Sequence, residues 1–237
     1  GLLLSRFGIS KPLVSYFEHN KRERGMYILS RLASGESCAL VTDAGMPAIS
    51  DPGEDIVILC SENGVTVSVI PGACAAVSGL ALSGLPTGRF AFEGFLTTSR
   101  SDRRDRLAAL KNEERTMIFY EAPHKLKRTL DDMLEYMGER RIAICREMTK
   151  LNEEVIRTTL SGAVRLYSQK EPRGEYVLIV EGGLSEKTAP NYPENPMEHV
   201  KRYQDNGLGR MDAIKAAAKD RGLSKGEFYR MLEQLKD

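Results

Sequence analysis

Two apolar, β-branched runs, RIAICRE at 141–147 and EVIRTTL at 154–160, are separated only by MTKLNE. A parallel crossover takes a dozen or more residues, so these two runs are expected to pair as antiparallel strands. Any sheet that contains them is therefore mixed in direction. The other strand candidates are SCALVT at 37–42, TVSVI at 66–70, RFAFEGF at 89–95, TMIFY at 116–120 and EYVLIVEG at 175–182. Segments of helical period lie between most of them. GEDIVILCSENG at 53–64 ends on Asn-Gly, a helix stop, and KLKRTLDDMLEYMG at 125–138 repeats apolar positions at Leu126, Leu130, Met133, Leu134 and Met137. This alternation places the chain in the α/β class.

The runs up to about residue 95 are near-continuously apolar, as in a parallel sheet covered on both faces. Residues 1–95 are accordingly expected to form a parallel α/β domain, and 96–182 a second, mixed α/β domain. From Gly182 the stretch GGLSEKTAPNYPENP holds three prolines and two glycines, so 183–196 reads as a linker. Residues 197–237 then give three short amphipathic helices bounded by glycines, a small helical C-terminal tail, with Ser224 as an N-cap.

No run approaches the roughly 18 to 20 apolar residues of a membrane span, and residues 1–20 lack a secretory pattern, so a cytoplasmic protein with no membrane partner is expected. Cys38, Cys60, Cys74 and Cys145 are widely spaced, as are His19, His124 and His199. That spacing offers no paired metal ligands and reads as reduced, packed thiols. With 34 Lys and Arg against 33 Asp and Glu, the formal net charge of +1 creates no global field for nucleic acid. The role would fall to a local patch, SRSDRRDRLAALKNEER at 99–115, which carries Arg100, Arg103, Arg104 and Arg106.

Two glycine-proline turns follow the first strand candidates: VTDAGMPAISDPG at 41–53 and PGACAA at 71–76. Ligands of open α/β sheets bind outside the carboxyl ends of strands. Gly45, Gly53 and Gly72 let main chain approach a ligand, and Pro47, Pro52 and Pro71 fix the turns, which suits an adenosine-like group held by backbone. Neither GxxxxGK[ST] nor a strand-following GxGxxG is present, so a nucleoside triphosphate or dinucleotide lacks its usual loop. Asp43 either accepts hydrogen bonds from a ligand or caps a turn. Asp51 before Pro52 reads as an N-cap. Cys74 either touches ligand or packs as a thiol.

Further on, YEAPHK at 120–125 ends a strand before a helix that Pro123 can start, and Glu121 and His124 there are either proton acceptors or solvent-facing groups. In REMTKLNEE at 146–154, Arg146 and Glu147 directly continue an apolar strand. Arg146 could clamp a phosphate, or the segment could be a solvated charged turn.

VTDAGMPAISDPG, VIPGACA, FEGFL, YEAPHK, REMTK with the acidic pair just after it, and GEYVLIVEG occur in one order and spacing. Over residues 7–182 the chain thereby resembles the tetrapyrrole methylase superfamily, the class III S-adenosylmethionine-dependent methyltransferases, and within it the members that methylate small-subunit ribosomal RNA. The resemblance implies a homodimer of two-domain subunits, with S-adenosylmethionine in the cleft between the domains. The implied reaction is methylation of the ribose 2′-hydroxyl of a cytidine in small-subunit (16S) rRNA. It implies that Asp43, Ala44, Gly45, Ile49 and Ser50 line the cofactor, that Gly72, Ala73, Cys74 and Ala75 join them, and that Tyr120, Glu121 and Ala122 face the same cleft. Members carry a first strand and a glycine loop ahead of the stretch matching FGISKPLVSYFEHN, and this sequence is expected to lack them. A small-molecule tetrapyrrole methylase and a non-catalytic cofactor or RNA binder are the alternatives.

Methyl transfer to oxygen needs alignment and removal of the hydroxyl proton, for which Glu147, Lys150 and Glu121 are the candidates. Arg100, Arg103, Arg104 and Arg106, with Lys125, Lys127, Arg128 and Arg146, are the candidates for rRNA phosphates.

Overall fold

A computed structural model of the chain describes residues 2–183 and 192–235. The chain divides into two compact units, Gly1–Gly183 and Leu184–Asp237. In the first, helices α1 (Leu2–Arg6), α2 (Lys21–Ala33), α3 (Glu54–Glu62) and α4 (Ala75–Ser83) precede strand β1 (Phe90–Phe95). Then come α5 (Arg100–Ala109) with a 3-10 turn at Leu110–Asn112, β2 (Thr116–Glu121), α6 (Pro123–Met137), β3 (Arg141–Arg146), β4 (Glu154–Thr159), α7 (Leu160–Gln169) and β5 (Tyr176–Val180).

The five strands form one sheet in the order β1-β2-β5-β3-β4. β1 and β2 are parallel, whereas β5 runs antiparallel to both β2 and β3, and β3 to β4. The mixed sheet and the antiparallel β3–β4 pair are as the short connection requires. Alternation along β2 sends Met117 and Phe119 to one face and Ile118 to the other. The first face is covered by α5, α6 and α7 through Leu107, Leu126, Leu130, Met133, Leu160 and Tyr167. The second is covered by α4 through Ala76 and Leu80. Helix α6 shows how the sequence dictates this. Pro123 at its start gives up an N–H that a first turn would leave unbonded, and the apolar stripe Leu126, Leu130, Met133 and Met137 turns inward.

Two expectations fail. Residues 37–42 and 66–70 form no strand, so residues 1–95 hold no parallel sheet of their own, and among the described residues parallel pairing is confined to β1 and β2. Val41, Val69 and Ile70 stand exposed. Apolar, β-branched runs record a fit to a half-buried pleated surface, but a strand also needs a neighbour to bond, and these runs have none among the described residues. Asp51 does not cap a helix at Pro52. Gly53 is the N-cap of α3, and Asp51 Oδ2 accepts from Thr42 Oγ1 at 3.2 Å.

The second unit holds α8 (Pro196–Asp205), α9 (Arg210–Asp220) and α10 (Lys225–Gln234) around Val200, Ile214, Ala217, Phe228 and Leu232. Ser224 caps α10 in a reciprocal capping box with Glu227. His199 is buried, 3.2 Å from Asp220 Oδ2 and from Arg221 Nε, and stacks on Tyr192 with centroids 4.3 Å apart. Arg221 Nη2 also donates to the Pro193 and Glu194 carbonyls, so the end of the expected linker is tied into this unit. Residues 184–191 of that linker lie outside the described residues.

Candidate functional site

β1, β2 and β3 point the same way, so their carboxyl ends meet at one edge of the sheet, together with the starts of β4 and β5. The register sets Phe95 opposite Tyr120, and both Glu121 and Arg146 opposite Tyr176. The last strand residues of YEAPHK and REMTK, far apart in sequence, thus share that edge.

The glycine-proline turns reach this edge through the start of α4, which the second of them leads into. Tyr120's phenolic oxygen accepts the Ala76 N–H at 3.1 Å, joining the start of α4 to the end of β2, and burial raises the phenol above its ordinary pKa. The two turns touch each other: the Met46 N–H donates to the Ala73 carbonyl at 3.0 Å, and a Cβ on Gly45 would lie 3.1 Å from that same oxygen. Asp43, Ala44, Gly45, Ile49 and Ser50 are exposed, as are Gly72, Ala73 and Ala75, while Cys74 is half-buried against the Ile118 face. Ala48 and Ser50 hold φ of 65° and 68°, a strained region for residues with a Cβ. The expected cofactor residues are therefore brought together around an open surface of small side chains and backbone. An adenosine-type ligand fits that donor set, with the Asp43 carboxylate free to accept from it. Among the described residues no group of three His, Cys, Asp or Glu side chains could hold a metal ion. No helix among the described residues is long and apolar enough to cross a membrane.

The proton-handling candidates separate into two kinds. Glu121 is buried; its Oε2 accepts from Thr129 Oγ1 at 2.5 Å, its Oε1 accepts the Ala122 N–H at 2.9 Å and lies 3.3 Å from Lys125 Nζ. With these partners it fixes the turn into α6. Glu147 lies in the connection between β3 and β4 at φ 50°, with Thr149 at 65°. Its Oε1 accepts from the Glu175 N–H at 2.9 Å and from Lys150 Nζ at 3.0 Å. The Glu175 amide first, and then Lys150, hold the Glu147 carboxyl below the usual range. Glu175 and Glu147 raise the Lys150 ammonium above its own. Arg146 bonds Glu154 Oε2 through Nε at 3.0 Å, and Lys170 shares that carboxylate.

Within the arginine patch, Arg103 is not the phosphate-facing group its sequence suggests. Arg103 is 1% exposed and bonds Asp132 Oδ2 through Nε at 2.7 Å, so it is a core ion pair. Arg104 lies near Asp132 and Glu135 with its guanidinium over the Tyr136 ring, and Arg106 bonds Glu93. Of the four, Arg100 is exposed and has no ion pair among the described residues. Lys125 lies inward against Glu121, and Lys127 pairs with Glu171. Sequence reasoning missed Thr129 as the hydroxyl on Glu121. Its place on the inward stripe of α6, two turns after the turn it serves, was the available signal.

A profile of the tetrapyrrole (corrin/porphyrin) methylases matches residues 5–164. The chain is 46% identical over 236 residues to the ribosomal RNA small subunit methyltransferase I of Halalkalibacterium halodurans, covering 98% of this chain and 81% of that protein. It is 44% identical over 227 residues to the protein of the same name from Bacillus subtilis, covering 94% and 78%. In fold it is similar to the crystal structure of the methyltransferase CobJ, with a TM-score of 0.54 at 20% identity over 73% of this chain and 75% of that one. It is likewise similar to diphthine synthase, with a TM-score of 0.53 at 15% identity over 76% and 72%.

Proposed function

This chain belongs to the tetrapyrrole (corrin/porphyrin) methylase family and is a methyltransferase, and from that premise we propose that it methylates the ribose 2′-hydroxyl of a cytidine in small-subunit ribosomal RNA, using S-adenosylmethionine. The observation that carries this reading is the contact of the two glycine-proline turns, Met46 N–H to Ala73 carbonyl, beside Tyr120 at the carboxyl edge of the sheet. Residues 43–50 and 72–75 hold the cofactor from one side, and Tyr120 and Ala122 at the carboxyl edge of the sheet hold it from the other. The subunit works in the cytoplasm as a homodimer, and sedimentation tests the homodimer on its own.

When bound, the cofactor supplies a methyl group on a sulfonium that is ready for in-line displacement. The protein has to hold the hydroxyl oxygen in line and take its proton. As the new O–C bond forms, that proton becomes strongly acidic, so a carboxylate held below its usual range can still accept it. Glu147 suits this better than Glu121, which is enclosed by Thr129, Lys125 and the Ala122 amide. Lys150 keeps Glu147 in place and sets a positive charge beside it. Glu121 acts as a positioning residue for Tyr120 and Ala122.

The test is calorimetric titration with S-adenosylmethionine, followed by methyl transfer to purified small ribosomal subunits. Binding with transfer to a ribose 2′-oxygen is the expected result, and absence of both would sink the reading. Single-turnover rates should fall most for Glu147→Ala. Unchanged rates in Glu147→Ala, Lys150→Ala and Glu121→Ala together would remove the assignment of roles.

A further inference from the structure

Strand β1 reads FAFEGF, and strict alternation would put Phe92 and Phe95 on opposite faces of the sheet. They are not opposite. The register shifts between Phe92 and Gly94, so that Phe92 pairs with Ile118, Gly94 with Phe119 and Phe95 with Tyr120. Gly94 makes this possible at φ 63°. The bulge brings both phenylalanines to the Tyr120 side, where they meet its ring edge-on at centroid distances of 5.2 Å and 5.5 Å.

The two phenylalanines are open to solvent: Phe92 is 38% exposed and Phe95 56%, whereas Phe119 on β2 and Tyr176 on β5 are buried. Lys125 Nζ lies 5.5 Å from the Phe95 ring centroid, over its face, and is held there by Glu121 at 3.3 Å. Arg100, a few residues beyond Phe95, is exposed and unpaired among the described residues. The shelf is continuous with the candidate cofactor site: Tyr120 bonds Ala76, and Ser50 Oγ comes within 3.7 Å of where a Gly94 side chain would begin.

We propose that Phe95, backed by Tyr120 and Phe92, is the stacking platform for the unstacked pyrimidine base of the nucleotide being methylated, with Arg100 facing a flanking phosphate. This rests on the rRNA reading above. A ribose hydroxyl that must reach the cofactor turns belongs to a nucleotide pulled out of its helix, and a base so exposed needs a new aromatic partner. The bulge provides one at the site's rim.

The experiment compares Phe95→Leu, Phe95→Ala and Phe95→Tyr in methylation of purified small subunits at saturating cofactor. Stacking on a protein ring contributes about 1–3 kcal/mol per base, so kcat/KM should fall roughly 10- to 100-fold in the leucine and alanine variants and recover in the tyrosine variant. Cofactor affinity and melting temperature should stay at their unmodified values in Phe95→Leu. The chain has no tryptophan, so Phe95→Trp supplies a single indole. Its fluorescence should be quenched by a cytidine-containing oligoribonucleotide and not by the same strand with an abasic target position. Equal quenching by both strands, full turnover in Phe95→Leu, or loss of cofactor affinity in step with kcat/KM would overturn the platform. If the unmodified chain methylates subunits while any of these holds, the platform alone falls; if the unmodified chain does not methylate them, the rRNA reading falls and takes the platform with it.

Discussion

Removing Asp132 tests whether the arginine patch is structural. Arg103 is 1% exposed; its Nε is 2.7 Å and its Nη2 2.6 Å from Asp132 Oδ2, and Nη1 reaches the Thr97 and Thr98 carbonyls at 3.4 Å and 3.3 Å. Asp132→Ala leaves a guanidinium buried with those two weak carbonyl contacts and no counter-charge. Breaking one partner of such a pair costs about 3–5 kcal/mol. For a unit of this size each kcal/mol lowers the melting temperature by about 2–4 °C, so a fall of roughly 6–20 °C is expected. The double variant Arg103→Met with Asp132→Leu removes both charges and should return to near the unmodified midpoint, since a well-packed apolar pair can replace a buried ion pair without net loss. Calorimetric melting of the single and double variants decides it, with RNA affinity measured against salt on the double variant. A melting temperature within 2 °C of the unmodified chain for Asp132→Ala would refute the reasoning. So would a flatter salt dependence in the stable double variant, because a phosphate-binding Arg103 would take about 0.7 from that slope.

Three further outcomes are expected. Gly174→Ala puts a Cβ within 2.5–2.6 Å of the Glu147 side chain at a backbone φ of 79°, so it should displace Glu147, cost about 1–3 kcal/mol in a denaturant melt and lower single-turnover methylation like Glu147→Ala. Burial, then Arg221, depress the His199 imidazole below its ordinary pKa despite Asp220. Because the folded value is the lower one, its stabilising contribution is complete above about 6.5 and is lost as pH falls through the folded value; urea melts of the full chain should weaken between pH 7.5 and pH 5, and less so for His199→Gln. Arg100→Ala with Arg128→Ala removes two exposed arginines that have no ion pair among the described residues, and the slope of RNA affinity against salt should shrink by about 1.4.

The sheet from residue 90 onward was legible because its strands carry both signals a strand needs, apolar alternation and close neighbours: the seven residues between β3 and β4 leave one pairing. Residues 37–42 and 66–70 carry the first signal alone. Sequence shows that Val41 and Ile70 are strand-forming side chains, but not which backbone would bond theirs. The turn residues of the candidate site were readable for a different reason, since glycine and proline act through their own backbone wherever the turns end up. Arg103 was misread because its partner lies 29 residues away. A hint existed, for Arg103 shares a helix face with Leu107, and Asp132 interrupts the apolar stripe of α6, which marks two charges facing a core. Glu121 was visible as a carboxylate at a strand end, and its enclosure by Thr129 and Lys125 became clear only with the turn of α6 in place.

The bulge in β1 also bears on how this chain behaves in a crowded solution. Among the described residues β1 is an edge of the sheet, with its outer backbone groups unpaired and phenylalanines at both ends, which is the composition that invites a foreign strand to add on. An incoming strand in register with Phe90–Phe92 would lose its match at Glu93, where the ladder is interrupted and a charged side chain stands against Arg106. Such a strand could bond about half the edge before being thrown out of step. The same kink that brings Phe95 around to Tyr120 therefore keeps a greasy margin from becoming a template for aggregation.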